Sequence, residues 1–174
     1  VVLAPRAGFP DMWDGKVSNR QRFTIPMLVG AGLAVIEVGM DAFSVLPETP
    51  TVNFPFSIPA YFAGGILSEI LLHLIPVVLL MWIIGTTILR RKWQAQVFWV
   101  VAPVISLLEP MLQIGGSYQM GLLSNAVIAA ILFAYIFAVN LTLICFLRKC
   151  GFLAAIASRL TIYLIWHIVW PVIS

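Results

Sequence analysis

Seven ionisable side chains stand inside otherwise apolar stretches of this chain: Glu37, Asp41, Glu69, His73, Glu109, Arg159 and His167. At the centre of a membrane span such a group costs about 2.5–3.5 kcal/mol, and it normally faces a bundle interior or a water-filled cavity. Spacings of four join Glu37 to Asp41, Glu69 to His73, and Arg159 through Tyr163 to His167. On a helix each set lies along one polar face. Four kinds of chemistry are open to them. Buried carboxylates with a proton partner can form a hydrolytic site within the membrane. The groups can instead neutralise one another, His against Glu and Arg against Asp or Glu, and fix how helices pack. They can line an ion or proton path, or a haem can sit between His73 and His167. Ser106 and Glu109 share a helix face, but a serine nucleophile needs a base at hydrogen-bond distance.

The elements that carry these residues follow from composition. The 174 residues are 61% hydrophobic with a mean hydropathy of +1.04. Only 10% are charged, against roughly 25% in an ordinary soluble domain. A soluble globular protein is excluded. At ~20 residues per span the chain holds about five or six crossings and no separate catalytic domain. Apolar runs predict spans over residues 24–44, 58–89, 94–112, 119–147 and 152–173, making 24–174 one transmembrane helical domain. The proline-rich stretch 45–57 reads as a loop and Gly115-Gly116-Ser117 as a turn. Residues 58–89 form either one long helix kinked at Pro76 or a helix pair broken there.

With each long stretch as a single crossing, Arg20/Arg22, Arg90–Lys92 and Arg148-Lys149 fall on one side, and Glu48 with the Gly-Gly turn on the other. Five spans with the N-terminus cytoplasmic then satisfy the positive-inside rule at every loop; six or more are needed if a long stretch splits. At ~1.5 Å rise per residue, Glu69 and His73 are predicted ~15–25 Å below the outer end, His167 ~10 Å and Glu109 ~5 Å, with Arg159 deeper toward the cytoplasm.

Residues 1–23 alternate charges around Trp13 without a continuous apolar core, which predicts a segment lying along the cytoplasmic interface. Trp82, Trp93, Trp99, Trp166 and Trp170, with Tyr61 and Tyr118, are expected in interfacial aromatic belts. Gly30, Gly32, Gly39, Gly64 and Gly65 are expected to allow close helix contacts, and Asn125 and Asn140 to donate hydrogen bonds between helices. Cys145 and Cys150 flank a basic pair where thiols stay reduced, so neither a disulfide framework nor a metal cluster is expected. A net charge of +3 spread over loops does not point to nucleic acid.

The stretch Phe56-Ser-Ile-Pro-Ala-Tyr-Phe-Ala-Gly-Gly-Ile-Leu-Ser-Glu-Ile-Leu-Leu-His resembles the first signature segment of the CAAX-processing and bacteriocin-processing (CPBP) intramembrane proteases, in which a Gly-rich entry leads to Glu-Glu-x-x-x-Arg. Gln96-Val-Phe-Trp-Val-Val-Ala-Pro-Val-Ile-Ser-Leu-Leu-Glu resembles the region holding the family's Phe-x-x-x-His. Leu147-Arg-Lys-Cys-Gly-Phe-Leu-Ala-Ala-Ile-Ala-Ser-Arg-Leu-Thr-Ile-Tyr resembles its basic turn, glycine and Ala-rich helix ending in His-x-x-x-Asn or Asp. The likeness covers roughly residues 9–170 and implies a CPBP-like all-α bundle. It also implies a site in which the first Glu activates a water, the second Glu and the Arg support it, and the later His and Asn or Asp stabilise the oxyanion.

Carried over, the first Glu falls on Ser68, the second on Glu69 and the Arg on His73. Glu109 stands at the Phe and Gln113 at the His of the second motif, and Arg159 and Tyr163 stand at the His and the Asn or Asp of the third. Only Glu69 keeps its family identity. A serine without a paired base cannot take a proton from water at neutral pH, so the family mechanism as usually written is not available. A rebuilt one needs Glu69 as base, His73 or His167 as proton partner, and Gln113 or Arg159 as oxyanion donor. The sequence therefore predicts a pseudoenzyme: a bacterial inner-membrane protein that keeps the scaffold without the proteolysis, has no cofactor, and serves as a binding or assembly subunit among other membrane proteins. The alternative is a divergent endopeptidase with Glu69 as general base.

Overall fold

A computed structural model describes residues 3–43, 46 and 52–173. Among these residues the chain is all-α, with five helices long and apolar enough to cross a membrane: α1 (Arg20–Ala42), α2 (Ser57–Ile88), α3 (Gln94–Gln119), α4 (Ala126–Cys150) and α5 (Phe152–Ile173). Glu48, expected at the end opposite the basic clusters, and residues 45 and 47–51 of the expected loop over 45–57 lie outside the described residues. The two long stretches are each one helix, so successive spans alternate in direction and five crossings result. Arg20, Arg22, Arg90, Arg91, Lys92, Arg148 and Lys149 gather at one end of the bundle, called here the basic end.

Pro76 does not break α2, for a local reason. Three of the four π-helical stretches among the described residues, Arg20–Thr24, Glu69–Leu74 and Leu164–Val169, each end two residues before a proline, Pro26, Pro76 and Pro171, while the fourth, Met81–Ile88, ends α2 with no proline after it. A proline ring collides with the carbonyl four residues back and has no N–H to offer it. Widening the preceding turn to i→i+5 bonding moves that carbonyl aside, so the helix continues. Both histidines of the chain lie in these wide turns.

Two predicted boundaries are corrected. Gly115-Gly116 is not a turn: α3 runs through it to Gln119, and the chain reverses over 120–125, where Gly121 takes φ +70°. A helical glycine costs about 1 kcal/mol against alanine, too little to stop a helix that continues a span. The fourth span starts at Ala126 rather than 119, because Asn125 is its N-cap. The Asn125 Oδ1 accepts from the backbone N–H of Val127 at 2.9 Å and Ile128 at 3.2 Å, which satisfies two otherwise free donors of the first turn. Asn125 therefore does not bond between helices as expected.

The apolar core sits in the basic half, where Val77, Val78 and Met81 of α2 pack with Phe98, Val101 and Ala102 of α3, Ile144 and Leu147 of α4, and Ala155 of α5. Ala4, Ala7 and Phe9 of the N-terminal segment are buried against the same core. Arg148 holds that segment by donating from Nη1 to the Gly8 carbonyl at 2.7 Å, and its guanidinium lies over the Phe9 ring.

Of the five glycines expected at helix contacts, two serve there. A Cβ on Gly30 would come within 2.5 Å of the Ser158 carbonyl oxygen, so α1 and α5 can meet at this depth only because that atom is missing. Gly65 seats the Tyr163 ring, whereas Gly32, Gly39 and Gly64 face open space.

Candidate functional site

Arg159 is the centre of the polar groups. Its position on α5 is buried at 3% exposure, and all five N–H donors of the guanidinium find an acceptor. Nε donates to Glu69 Oε2 at 2.8 Å. Nη1 and Nη2 donate to the two oxygens of Glu109 at 3.0 and 2.8 Å, a bidentate pair. The remaining hydrogens go from Nη2 to Asn140 Oδ1 at 3.1 Å and from Nη1 to the Tyr163 hydroxyl at 3.4 Å. Four helices are thereby tied at one point: α2 through Glu69, α3 through Glu109, α4 through Asn140 and α5 through Arg159 itself.

Behind this knot, His73 and Glu69 are both fully buried and joined, Nδ1 to Oε2, at 3.0 Å. With its proton on Nδ1 the imidazole donates to the carboxylate, and Glu69 Oε1 and His73 Nε2 have no partner. In front of it, Gln113 donates from Nε2 to Glu109 Oε1 at 3.0 Å. Glu69 thus spends one oxygen on two donors, while Glu109 is held from both sides.

The expected relative depths are corrected. Arg159 is level with Glu69 and Glu109 rather than deeper. Because α3 extends to Gln119, Glu109 lies ten residues, or ~15 Å, from its end instead of ~5 Å.

Beside Arg159, toward the end opposite the basic one, is a cleft of about 160 Å³. Its walls include Glu37, Glu109, Gln113, Tyr135, Asn140, Arg159, Tyr163, Trp166 and His167, but neither Glu69 nor His73. His167 joins no ion pair among the described residues. It stacks on Tyr61 with ring centroids 4.0 Å apart, lies 4.1 Å from Trp166, and meets Tyr163 edge-on at 5.0 Å. Those aromatic residues, Trp166 and Tyr61 above all, hold an inner histidine rather than only marking an interface.

Glu37 lies 3.3 Å from the Tyr135 hydroxyl, which is closer, at 2.9 Å, to the Leu33 carbonyl. Asp41 accepts from the Trp170 indole N–H at 2.6 Å. Asn140 and Tyr135 are the residues whose part the sequence reading missed. Asn140 accepts from an arginine where a donor role was expected, and the signal available was a lone amide in a 25-residue apolar helix.

Several sequence candidates are not brought together. Ser68 is half-buried and outside the hydrogen-bonded cluster. Ser106 is buried, and its hydroxyl donates to the Ala102 carbonyl at 2.8 Å, so no serine–Glu109 pair forms. His167 lines the cleft and His73 does not, so this cleft does not bring the two histidines together around a haem.

Chemically, a general base must reach the water it deprotonates. Glu69 is 0% exposed and lies on the far side of Arg159 from the cleft, so the carboxylates that face the open volume are Glu37 and Glu109. Comparison of the chain with family models, with curated proteins and with solved structures finds no match.

Proposed function

We propose that this chain is a divergent relative of the CPBP intramembrane proteases whose catalytic set has become a structural ion cluster, and that it works as a non-catalytic binding or assembly subunit of a membrane protein complex. One observation carries the reading: Glu69, the only signature residue retained, is sealed from the cleft by the guanidinium and the imidazole that it holds. Kinship is supported by the meeting of the three segments that carry the resemblance, because Arg159 of the third binds Glu69 of the first and Glu109 of the second directly. The basic residues gathered at one end favour an orientation with the N-terminus cytoplasmic, and the membrane in this proposal is a bacterial inner membrane. A bundle with little mass outside its helices has its lipid-facing and end surfaces available to other membrane proteins.

The test is purification from native membranes in mild detergent, followed by mass measurement of the intact particle and incubation with fluorogenic transmembrane and prenylated peptides. The expected result is a particle containing a second protein at fixed stoichiometry and no cleavage. A lone chain that cleaves peptides, and ceases to when Glu69→Gln is introduced, overturns the reading in favour of the divergent endopeptidase.

A further inference from the structure

The cleft has one guanidinium, Arg159, in its wall and two carboxylates, Glu37 and Glu109, of which only Glu109 is paired with it among the described residues. Three carboxylates, Glu37, Glu69 and Glu109, accompany one guanidinium, which gives three of its five N–H donors to Glu69 and Glu109 and the others to Asn140 and Tyr163, with none to Glu37. Glu37 makes no ion pair among the described residues. Its one hydrogen-bond contact, Tyr135, has a shorter bond available to the Leu33 carbonyl. A charged side chain on an apolar helix is normally matched by an opposite charge, and the one cation in this wall, Arg159, is bonded to the other two carboxylates.

A second observation is independent of the charge. Asn140 is 1% exposed and forms part of the cleft wall, yet after its Oδ1 accepts from Arg159 its Nδ2 donor has no partner. A buried amide donor left unpaired costs about 1–3 kcal/mol, so an acceptor oxygen at this point of the cleft would satisfy it. The third element is aromatic: Tyr135 and Trp166 line the same volume as Glu37. Aromatic faces beside a carboxylate are the recurring means of holding an organic ammonium, which is drawn to the ring quadrupole within about 6 Å. Size agrees, because an apolar cavity of ~150 Å³ accepts a six-heavy-atom ring and this one measures about 160 Å³.

We infer that the cleft binds a small organic ammonium carrying a hydroxyl or ester oxygen, an amino alcohol of the ethanolamine or choline type, with the cationic nitrogen at Glu37 between Tyr135 and Trp166 and the oxygen at Asn140. The inference rests on the reading above that the chain is a non-catalytic binding subunit. The same chemistry is found in a free amino alcohol and in the headgroup of a zwitterionic phospholipid.

The experiment uses the full chain in nanodiscs of pure phosphatidylglycerol, titrated by calorimetry with choline chloride and ethanolamine hydrochloride to about 50 mM, with potassium chloride and tetramethylammonium chloride as controls. Saturable binding of both amino alcohols is expected, weaker for tetramethylammonium, which has no oxygen, and absent for potassium. Glu37→Gln is expected to weaken it by about tenfold or more. Should Glu37→Gln lose its cooperative melt, Trp166→Leu carries the same expectation at the aromatic wall. Repeating the titration in discs containing phosphatidylcholine or phosphatidylethanolamine separates the sources. A headgroup occupant lowers the apparent affinity for free choline there, and a free occupant leaves it unchanged. Absence of saturable binding in phosphatidylglycerol discs, or equal binding by a folded Glu37→Gln protein, overturns the inference. A protein that neither binds amino alcohols nor cleaves peptides loses this inference alone, whereas Glu69-dependent cleavage removes the reading beneath it.

Discussion

Arg159→Met is the sharpest perturbation of the cluster, because methionine keeps much of the aliphatic stem and removes the charge. It deletes the Nε bond to Glu69, the two bonds to Glu109 and the bond to Asn140, all between 2.8 and 3.1 Å. At about 1.5–3 kcal/mol for each hydrogen bond to a charged group, the four sum to roughly 6–12 kcal/mol gross. The desolvation cost of burying Arg159 is relieved at the same time, which brings the expected net loss to about 3–5 kcal/mol, the usual penalty for leaving a buried partner uncompensated. For a chain of this size that corresponds to a fall in Tm of about 6–20 °C.

The assay is thermal unfolding in one detergent, followed by circular dichroism or by exposure of the two cysteines. The diagnostic comparison is a cycle with Glu69→Gln and Glu109→Gln. The triple variant Arg159→Met/Glu69→Gln/Glu109→Gln removes the stranded charges along with their partner, so it is expected to recover most of the single variant's loss. A drop of under about 1 kcal/mol for Arg159→Met, or effects that simply add across the cycle, would refute the view that this guanidinium and its carboxylates act as one buried unit.

Other substitutions probe the frame around the cluster. Gly30→Ala drives a methyl into the Ser158 carbonyl and is expected to cost about 1–3 kcal/mol by forcing α1 and α5 apart, read from the same melts. Asn125→Ala removes the α4 cap and is expected to cost about 1 kcal/mol; the first turn of α4 should also lose amide-exchange protection. Gly115→Ala, at an exposed helical position with nothing within 4 Å, is expected to stabilise by about 0.4–1 kcal/mol, and a loss instead would count against a helical Gly115-Gly116. Arg148→Ala releases the anchor at Gly8, so limited proteolysis between residues 3 and 20 should become faster without loss of the bundle's melt.

The spans and the polar residues were legible because both follow from one cost, that of placing charge or unpaired backbone in hydrocarbon. Glu69, His73, Glu109 and Arg159 stand out in any hydropathy reading, and the expectation that His would meet Glu and Arg would meet a carboxylate holds in their geometry. The choice of partners was not legible. The depth estimates set Arg159 apart from carboxylates that lie level with it, and Glu109 was placed too shallow because Gly115-Gly116 reads as punctuation although α3 runs on to Gln119. The place of Asn140 as an acceptor and the exclusion of His167 from the ion cluster depend on which face α4 and α5 turn inward. Small side chains such as Gly30 set that, and a hydrophobic pattern that is apolar almost all round does not encode it. The three segments quoted for the resemblance to a protease family meet at Arg159, and the roles that resemblance implies for their residues are not read from this contact.

The wide turns ahead of Pro26, Pro76 and Pro171 bear on how this chain can be compared with others. Each holds one residue more than an ordinary helical turn, so the helix beyond it is rotated by about 100° relative to an unbroken α-helix of the same length. A relative with a regular helix at Glu69–Leu74 or Leu164–Val169 has one residue fewer there. An alignment that runs through these stretches without a single-residue gap sets lipid-facing positions against inward-facing ones for the remainder of the span. Motif registers read across α2 and α5 therefore have to be anchored separately on the two sides of each proline turn.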